Sequence, residues 1–368
     1  MRLRDLKLTN YRNCKDLRLD LNSKKVLIIG KNAQGKTNIL ESIYFLSMLK
    51  SPRTSNIVEL INFEAERAEI NCNMIKAETD VELDYSYSRE KKREIAINKV
   101  KTTSKNFKSV LKTVLFSTAD LLLLRGNPSD RRDWLDRAIS QVYPAYDDRL
   151  SKYDKIRIQK NNLLKDYLRT GTSNDTLLDV YNEQLVITGS NIIFLRKKFL
   201  KEIERIASEK HRIISETEKL QVGYDCSFLT EEMELESIAE AFHKSLEERR
   251  IEEMRRGQAC VGPHRDDIIF YINNNDATKF ASQGQQRTVV LALKLSELDI
   301  ITAKTGDEPI LLLDDVLAEL DDLRQNYLLK SINENTQTVI TSVDTILFEE
   351  EFLKDVRIYK IEDGKLML

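Results

Sequence analysis

The eight residues GKNAQGKT at positions 30–37 constrain this chain more than any other stretch. They complete the pattern G-x-x-x-x-G-K-[ST], which requires a β-strand before it and a helix after it. Both flanks are present. The apolar run Val26 to Ile29 reads as a strand, and Ile39, Ile43 and Leu46 recur at helical spacing. In this pattern the glycines let successive backbone N–H groups turn onto phosphate oxygens, and the helix N-terminus adds positive potential. Residues Gly30, Lys31, Asn32, Ala33, Gln34, Gly35, Lys36 and Thr37 are therefore assigned to a nucleoside triphosphate such as ATP. Lys36 reaches the β and γ phosphates, and the Thr37 hydroxyl is assigned to Mg²⁺.

A second feature completes such a site. The continuous apolar run Ile310 to Leu313 has the character of a central parallel strand and ends in Asp314-Asp315. A carboxylate at the C-terminal end of a parallel strand lies beside a phosphate loop, so Asp314 is assigned to the metal and Asp315 to the attacking water. A third is the string SQGQQR at 282–287, directly before a helical run. Ser282 is a plausible N-cap there, and hydroxyl, backbone N–H and helix dipole together suit an anion. One chain with two anion-binding helix starts suggests ATP shared between two subunits.

The rest of the chain falls into three parts. Leu17, Leu19 and Leu21 alternate with polar residues, and residues 65–116 follow period 2, with a hairpin turn expected near Asn98, so an antiparallel block is expected. From about 120 to 256 the period is helical, including a stretch at 175–218 that as one helix is roughly 65 Å long, with a turn at 171–174 before it. Its seam is expected from Leu150, Tyr153, Leu164 and Tyr167 against Ile192, Leu195, Phe199, Ile203 and Ile206. Gly is only 11 and Pro only 5 of 368 residues, well below the usual ~7% and ~5%, which favours long helices over many short strands. The expected division is an ATPase head at 1–119 and 258–368 with an inserted helical arm at 120–257. The fold class is α/β.

With 58 Lys and Arg against 60 Asp and Glu, the formal net charge is −2. Attraction to a polyanion must then come from local patches. Lys101, Lys105 and Lys108 near the antiparallel block, and Arg131 with Arg132 at the start of the arm, are the candidates for such polyanion-binding patches, with salt-dependent and sequence-independent contacts expected. The four cysteines share no CxxC spacing and no apolar run approaches ~20 residues, so a soluble, cytoplasmic protein without membrane partners is expected.

The order NYRN (10–13), GKNAQGKTNILESIYFLS (30–47), KSPRT (50–54), GNPSDRRDWLD (126–136), GPHRDD (262–267), ASQGQQRT (281–288) and LLLDDVLAELD (311–321) resembles the ABC-type ATPases of the SMC class, and within it the RecF family of bacterial recombination mediators. That resemblance implies an ATP-dependent homodimer with nucleotides sandwiched between subunits, weak ATPase activity, and binding to duplex DNA and to single-strand/duplex junctions. It also implies action with RecR and RecO in loading RecA. It places Ser282, Gln283 and Gly284 on the partner's γ phosphate and Asp321 at the dimer interface, with Arg12 and Arg53 as further phosphate contacts. Two departures from the wider pattern stand out: Asp315 replaces the usual Glu, which implies slow turnover, and Val343-Asp344 stand where a switch histidine is expected. The competing readings are a transport-coupling ABC subunit and a chromosome-organising SMC-like head, and an insertion of about 140 residues suits neither.

Overall fold

A computed structural model describes residues 1–172, 174–228, 234–332 and 335–367. The chain divides into two compact units, Met1–Leu122 with Arg287–Leu368 and Leu123–Gln286.

The first unit opens with β1 (Arg2–Tyr11), β2 (Cys14–Asp20), β3 (Lys25–Ile29) and helix α1 (Lys36–Met48), followed by β4 (Arg67–Lys76), β5 (Thr79–Ser88), β6 (Arg93–Ile97), β7 (Val100–Lys101), α2 (Ser104–Lys108) and β8 (Thr113–Ser117). An antiparallel sheet runs β2-β1-β4-β5-β6-β7. Alternation sends one face inward: Ile70, Cys72 and Met74 on β4, and Leu83 and Tyr85 on β5, are all buried. A register shift between Leu3 and Asp5 lets Leu3 and Leu6 face the same way although three residues apart. The hairpin near Asn98 is present, with Asn98 and Lys99 both at positive φ (51° and 65°) as a two-residue turn requires.

The inserted unit contains α3 (Pro128–Val142), α4 (Tyr146–Thr170), α5 (Asp175–Ser215), β9 (Leu220–Asp225), α6 (Leu235–Glu248), α7 (Arg250–Arg256), β10 (Asp267–Ile272), β11 (Asn275–Asp276) and α8 (Ala277–Phe280). Helix α5 runs unbroken for 41 residues, about 62 Å at 1.5 Å per residue. Tyr153 and Leu164 of α4, and Ile192, Phe199 and Ile203 of α5, are buried as the expected seam; Leu150, Tyr167, Leu195 and Ile206 are partly covered. Gly171 ends α4 at φ 71°, where the turn was expected; Ser173 of that turn lies outside the described residues.

Helix α9 (Gln283–Thr305) leads back into the first unit, which closes with β12 (Ile310–Asp314), α10 (Asp322–Ser331), β13 (Thr338–Ser342), α11 (Glu350–Leu353), β14 (Val356–Glu362) and β15 (Lys365–Met367). The second sheet runs β15-β14-β3-β13-β12-β8, parallel except for the β14–β15 hairpin. Helix α1 is buried without a break from Ile39 to Met48 because it packs with residues of both sheets: Ile39, Ile43 and Leu46 share one core with Leu83 of β5 and with Val26, Leu312 and Val339 of the parallel sheet. Phe45 stands edge-on to Tyr85 at 4.7 Å.

Two expectations need correction. Residues 258–286, expected with the ATPase part, group with the inserted unit, because β10 pairs with β9 from Asp267↔Asp225 to Ile272↔Leu220 and thereby ties this stretch to 220–225. Residues 113–116, expected in the antiparallel block, form a parallel edge strand whose partner is β12. Neither partnership is local in sequence.

The two sheets of the first unit are also joined by one buried amide. Gln337 donates from Nε2 to the carbonyls of Leu3, Leu21 and Ser23 at 3.1, 2.7 and 2.9 Å and accepts from the Leu3 N–H at Oε1 at 2.6 Å. Gln337→Leu keeps much of the volume but strands these backbone groups, so an expected loss of about 2 to 4 kcal/mol is checked by urea unfolding.

Candidate nucleotide site

Sheet register assembles the site. Asp314 pairs with Ser117 on one side and Thr341 on the other, and Thr341 pairs with Ile28, so four adjacent parallel strands end in one row. The phosphate loop begins two residues beyond Ile28, at the C-terminal edge where parallel sheets bind ligands.

The loop is held from behind. A Cβ on Gly30 would sit 2.4 Å from the Ile361 carbonyl oxygen on β14, and one on Gly35, already at φ 108°, would sit 2.8 Å from Asn13 Oδ1. Only glycine fits at these two places. Gln34 is fixed by the C-terminal hairpin: its carbonyl accepts from Gly364 N–H at 2.9 Å and its Oε1 from Asp363 N–H at 2.7 Å. Asn13 donates to the same Gln34 carbonyl at 3.3 Å and accepts from Asn38 at 2.7 Å.

Lys36 is buried, with Nζ donating to the carbonyls of Gly30 (2.7 Å) and Lys31 (3.2 Å) and standing 3.7 Å from Asp315 Oδ2. The Thr37 hydroxyl donates to Asp314 Oδ1 at 3.0 Å, and the Thr341 hydroxyl donates to the same oxygen at 2.9 Å while accepting from Asp315 N–H at 2.9 Å. Thr341 thus sets both acids. Asp315 occupies the left-handed region at φ 50°, a conformation found at functional sites. Burial raises the Asp314 carboxyl above its ordinary range and the Asp315 charge adds to this, against the two hydroxyl bonds.

Lys36, Thr37, Asp315 and Thr341 border a cleft of about 820 Å³ also lined by Asn32 to Gly35, Arg53, Thr118, Val343, Asp344, Ile346 and Leu347, among others. The size suits a nucleotide. Arg53 is in the lining, where Nη1 also donates to Asn38 Oδ1 at 2.7 Å. Arg12 is not. Its guanidinium is turned onto the buried Glu41, with Nε and Nη2 at 3.0 and 2.8 Å from the two carboxylate oxygens, and its Nη1 donates to the Glu59 carbonyl at 3.0 Å. Glu41 also accepts from Ser51 at 2.5 Å and Arg53 at 3.5 Å. Glu41, Thr341 and Asn13 carry no role in the sequence reading. Asn13 and Glu41 lie inside quoted strings, but nothing in a string shows which side chains close on one another.

Other predicted residues lie elsewhere. Ser282 caps α9: its Oγ accepts from Gln285 N–H at 3.2 Å and its N–H donates to Gln285 Oε1 at 2.8 Å. Ser282 and Gln283 are exposed and Gly284 is partly covered. Asp321 caps α10, accepting from Arg324 N–H at 3.0 Å and pairing with its guanidinium. Lys101 and Lys105 are exposed and Lys108 is partly covered. Arg131 is corrected: it is buried, held bidentately by Asp267 at 2.8 and 2.7 Å and by the Gly126 carbonyl, so its charge is already used within the unit. Arg132 gives one N–H to the Asp266 carbonyl at 2.7 Å. Among the described residues no group of three or more His, Cys, Asp or Glu could hold a metal ion, and no helix is long and apolar enough to cross a membrane.

The model of the RecF/RecN/SMC N terminal domain matches residues 2–366. The DNA replication and repair protein RecF of Bacillus subtilis (strain 168) is 37% identical over 369 residues, covering 100% of both chains, and that of Bacillus cereus (strain G9842) is 38% identical over 366 residues, covering 99% of this chain and 98% of the relative. This chain belongs to the RecF family of DNA replication and repair proteins. A solved structure of the recombination mediator protein RecF with ATP, described in the RecFOR pathway, superposes with a TM-score of 0.90 at 34% identity, covering 100% of this chain and 97% of that one. The Smc head domain of Pyrococcus furiosus, at 15% identity and a TM-score of 0.55, covering 100% of this chain and 96% of that one, shares the fold. The RecF-family fold is thus the ABC-type ATPase head with a long-helix insertion.

A carboxyl held above its unfolded value adds stability only below that unfolded value and loses it as pH rises through the folded one, so ionised Asp314 costs stability at neutral pH. Asp314→Asn is expected to raise the melting temperature of the nucleotide-free protein at pH 7 and to remove the extra stabilisation given by Mg²⁺-ATP, about 3 kcal/mol at a hundredfold excess over Kd. Differential scanning calorimetry with and without Mg²⁺-ATP checks both parts.

Proposed function

We propose that this RecF-family chain is an ATP-switched DNA-binding mediator of recombination and repair, with slow hydrolysis. The observation that carries the reading is the cluster at the C-terminal sheet edge, where Lys36, Thr37, Asp314, Asp315 and Thr341 meet within hydrogen-bond or ion-pair distance. The loop N–H groups and Lys36 bind the β and γ phosphates of ATP. The Thr37 hydroxyl and the Asp314 carboxylate are hard oxygen donors 3.0 Å apart, a donor set that suits Mg²⁺, which when bound neutralises charge on the β and γ oxygens. Asp315 orients the attacking water; its oxygen bonds to the γ phosphorus as the bond to the β,γ-bridging oxygen breaks, leaving ADP and inorganic phosphate.

The exposed cap at Ser282, with Gln283 and Gly284, meets the γ phosphate held by a second copy, and Asp321 lies at that same interface. Arg53 adds a contact from the cleft wall; Arg12 acts through the shared carboxylate of Glu41. Dimerisation brings Lys101, Lys105 and Lys108 of two copies onto one duplex, where two weak patches act as one strong site. The RecFOR setting of the ATP-bound relative supports a place in that pathway, and the proposal extends it to work with RecO and RecR at gapped DNA and junctions, upstream of RecA, in the cytoplasm.

Lys36→Ala is expected to lose ATP binding, whereas Ser282→Arg keeps it but stays monomeric with ATP in analytical ultracentrifugation; an unchanged dimer in Ser282→Arg overturns the shared-nucleotide reading. Separately, Asp315→Asn is expected to bind ATP normally while turnover, followed by phosphate release, drops by about 10²-fold or more. Undiminished turnover removes Asp315 from the mechanism.

A further inference from the structure

The inserted unit holds a polar cavity of its own, about 430 Å³, built from α3, α4, α5 and the 258–265 segment. His264 stands in its wall. Its Nδ1 is 2.7 Å from the Tyr153 hydroxyl and its Nε2 is 3.3 Å from the Ala259 carbonyl. A carbonyl only accepts, so Nε2 carries the proton and Tyr153 donates to Nδ1. Burial first, then the charges of Arg157, Arg265 and Arg132, push this imidazole down to about 3 against the bond to Ala259. The ring is neutral. Positive charge in the cavity therefore belongs to the arginines, which face the carboxylates of Asp133, Asp136 and Asp154.

Those arginines are not equivalent. Arg196 is held bidentately by Asp136 at 2.8 Å and 2.8 Å, and Arg157 by the single oxygen Oδ1 of Asp154 at 3.0 and 3.2 Å. Arg132 and Arg265 are held only by carbonyls: Arg132 Nη1 by Asp266 at 2.7 Å, and Arg265 Nε and Nη2 by Ala259 at 3.4 and 3.1 Å. A carbonyl orients a guanidinium without neutralising it and leaves its other N–H groups open. Asp133 is the lining acid with no hydrogen bond or ion pair among the described residues; burial lifts its carboxyl above the ordinary range, against the charges of Arg137 and Arg132. Asp267, Asp266 and Asp133 act on the Arg132 guanidinium through space, while burial first and then Arg196 hold it below its ordinary value. Two oriented guanidiniums at one cavity, neither of them in an ion pair among the described residues, suit a tetrahedral oxyanion taken by fork-like N–H pairs.

We propose that this cavity is a second phosphate-binding site, separate from the phosphate loop, in which Arg132 and Arg265 take one phosphate group of a nucleic-acid backbone or of a free phosphorylated molecule. The test compares the full-length protein with Arg132→Gln/Arg265→Gln and with Arg132→Lys/Arg265→Lys, which keeps the charge and loses the fork. Melting is followed in inorganic phosphate against chloride of equal ionic strength; the phosphate loop is common to all three proteins, so the difference between them reports the cavity. The wild type is expected to gain more from phosphate than the Gln pair, with the Lys pair between. Short-duplex titrations across salt then separate the sources. A backbone phosphate predicts about tenfold weaker duplex binding in the Gln pair and a salt slope reduced by about 1 to 2, with ATP affinity unchanged. A free phosphorylated molecule predicts unchanged duplex binding together with the altered phosphate response. A wild type that binds no duplex counts against the DNA reading above and leaves the phosphate comparison intact. Equal phosphate stabilisation and equal duplex affinity in wild type and Gln pair, with matching circular dichroism, overturn the proposal.

Discussion

Burial of helix α1 between two sheets is the constraint on which the rest of the site depends. A helix enclosed by Leu83 on one side and Val26, Leu312 and Val339 on the other has no freedom to slide or rotate. Its first turn carries Lys36 and Thr37, so packing of Ile39, Ile43 and Leu46 several ångströms away decides where an ammonium and a hydroxyl stand. The phosphate loop is correspondingly tight, with two glycines that approach β14 and Asn13 too closely for any side chain.

Charge follows a similar logic at lower dielectric. Glu41 and Asp314 are both carboxylates removed from water, yet their partners differ. Glu41 is met by two guanidiniums and a hydroxyl, a compensated arrangement that holds the connection between β1, α1 and Arg53. Asp314 accepts hydrogen bonds from hydroxyls, with a second acid beside it and Arg53 acting only through space. The first is a structural anchor in which attraction offsets desolvation. The second is left short of positive charge at the one place where a metal-bearing phosphate chain is expected to arrive. The contrast between Arg131, saturated by Asp267, and Arg132, held by a carbonyl, repeats this distinction in the inserted unit.

Much of this was legible in the residues alone, and for definite reasons. The strand–GKNAQGKT–helix order, the apolar strand ending in Asp314-Asp315 and the Ser282 cap are local features, each decided within about ten residues by backbone conformation and alternation. The 41-residue helix follows from unbroken periodicity and the shortage of Gly and Pro. The family resemblance, borne out by full-length relatives, rests on the same local strings taken in order.

What tertiary structure decided is every partnership across long sequence distance. Thr341 as the hinge between the two acids, Glu41 as the holder of Arg12, and Gln337 as the clasp between sheets are ordinary polar residues in ordinary contexts, given their roles by backbone and side-chain groups up to 334 positions away. The return at 267–272 to pair with 220–225, and β8 at the parallel edge, were misplaced because strand pairing is set by which edge is open, which alternation does not encode. Sequence determined which chemistry this chain carries; folding determined which of its charges are spent inside the protein and which remain for a ligand, because only packing sets the distances at which a charge is neutralised.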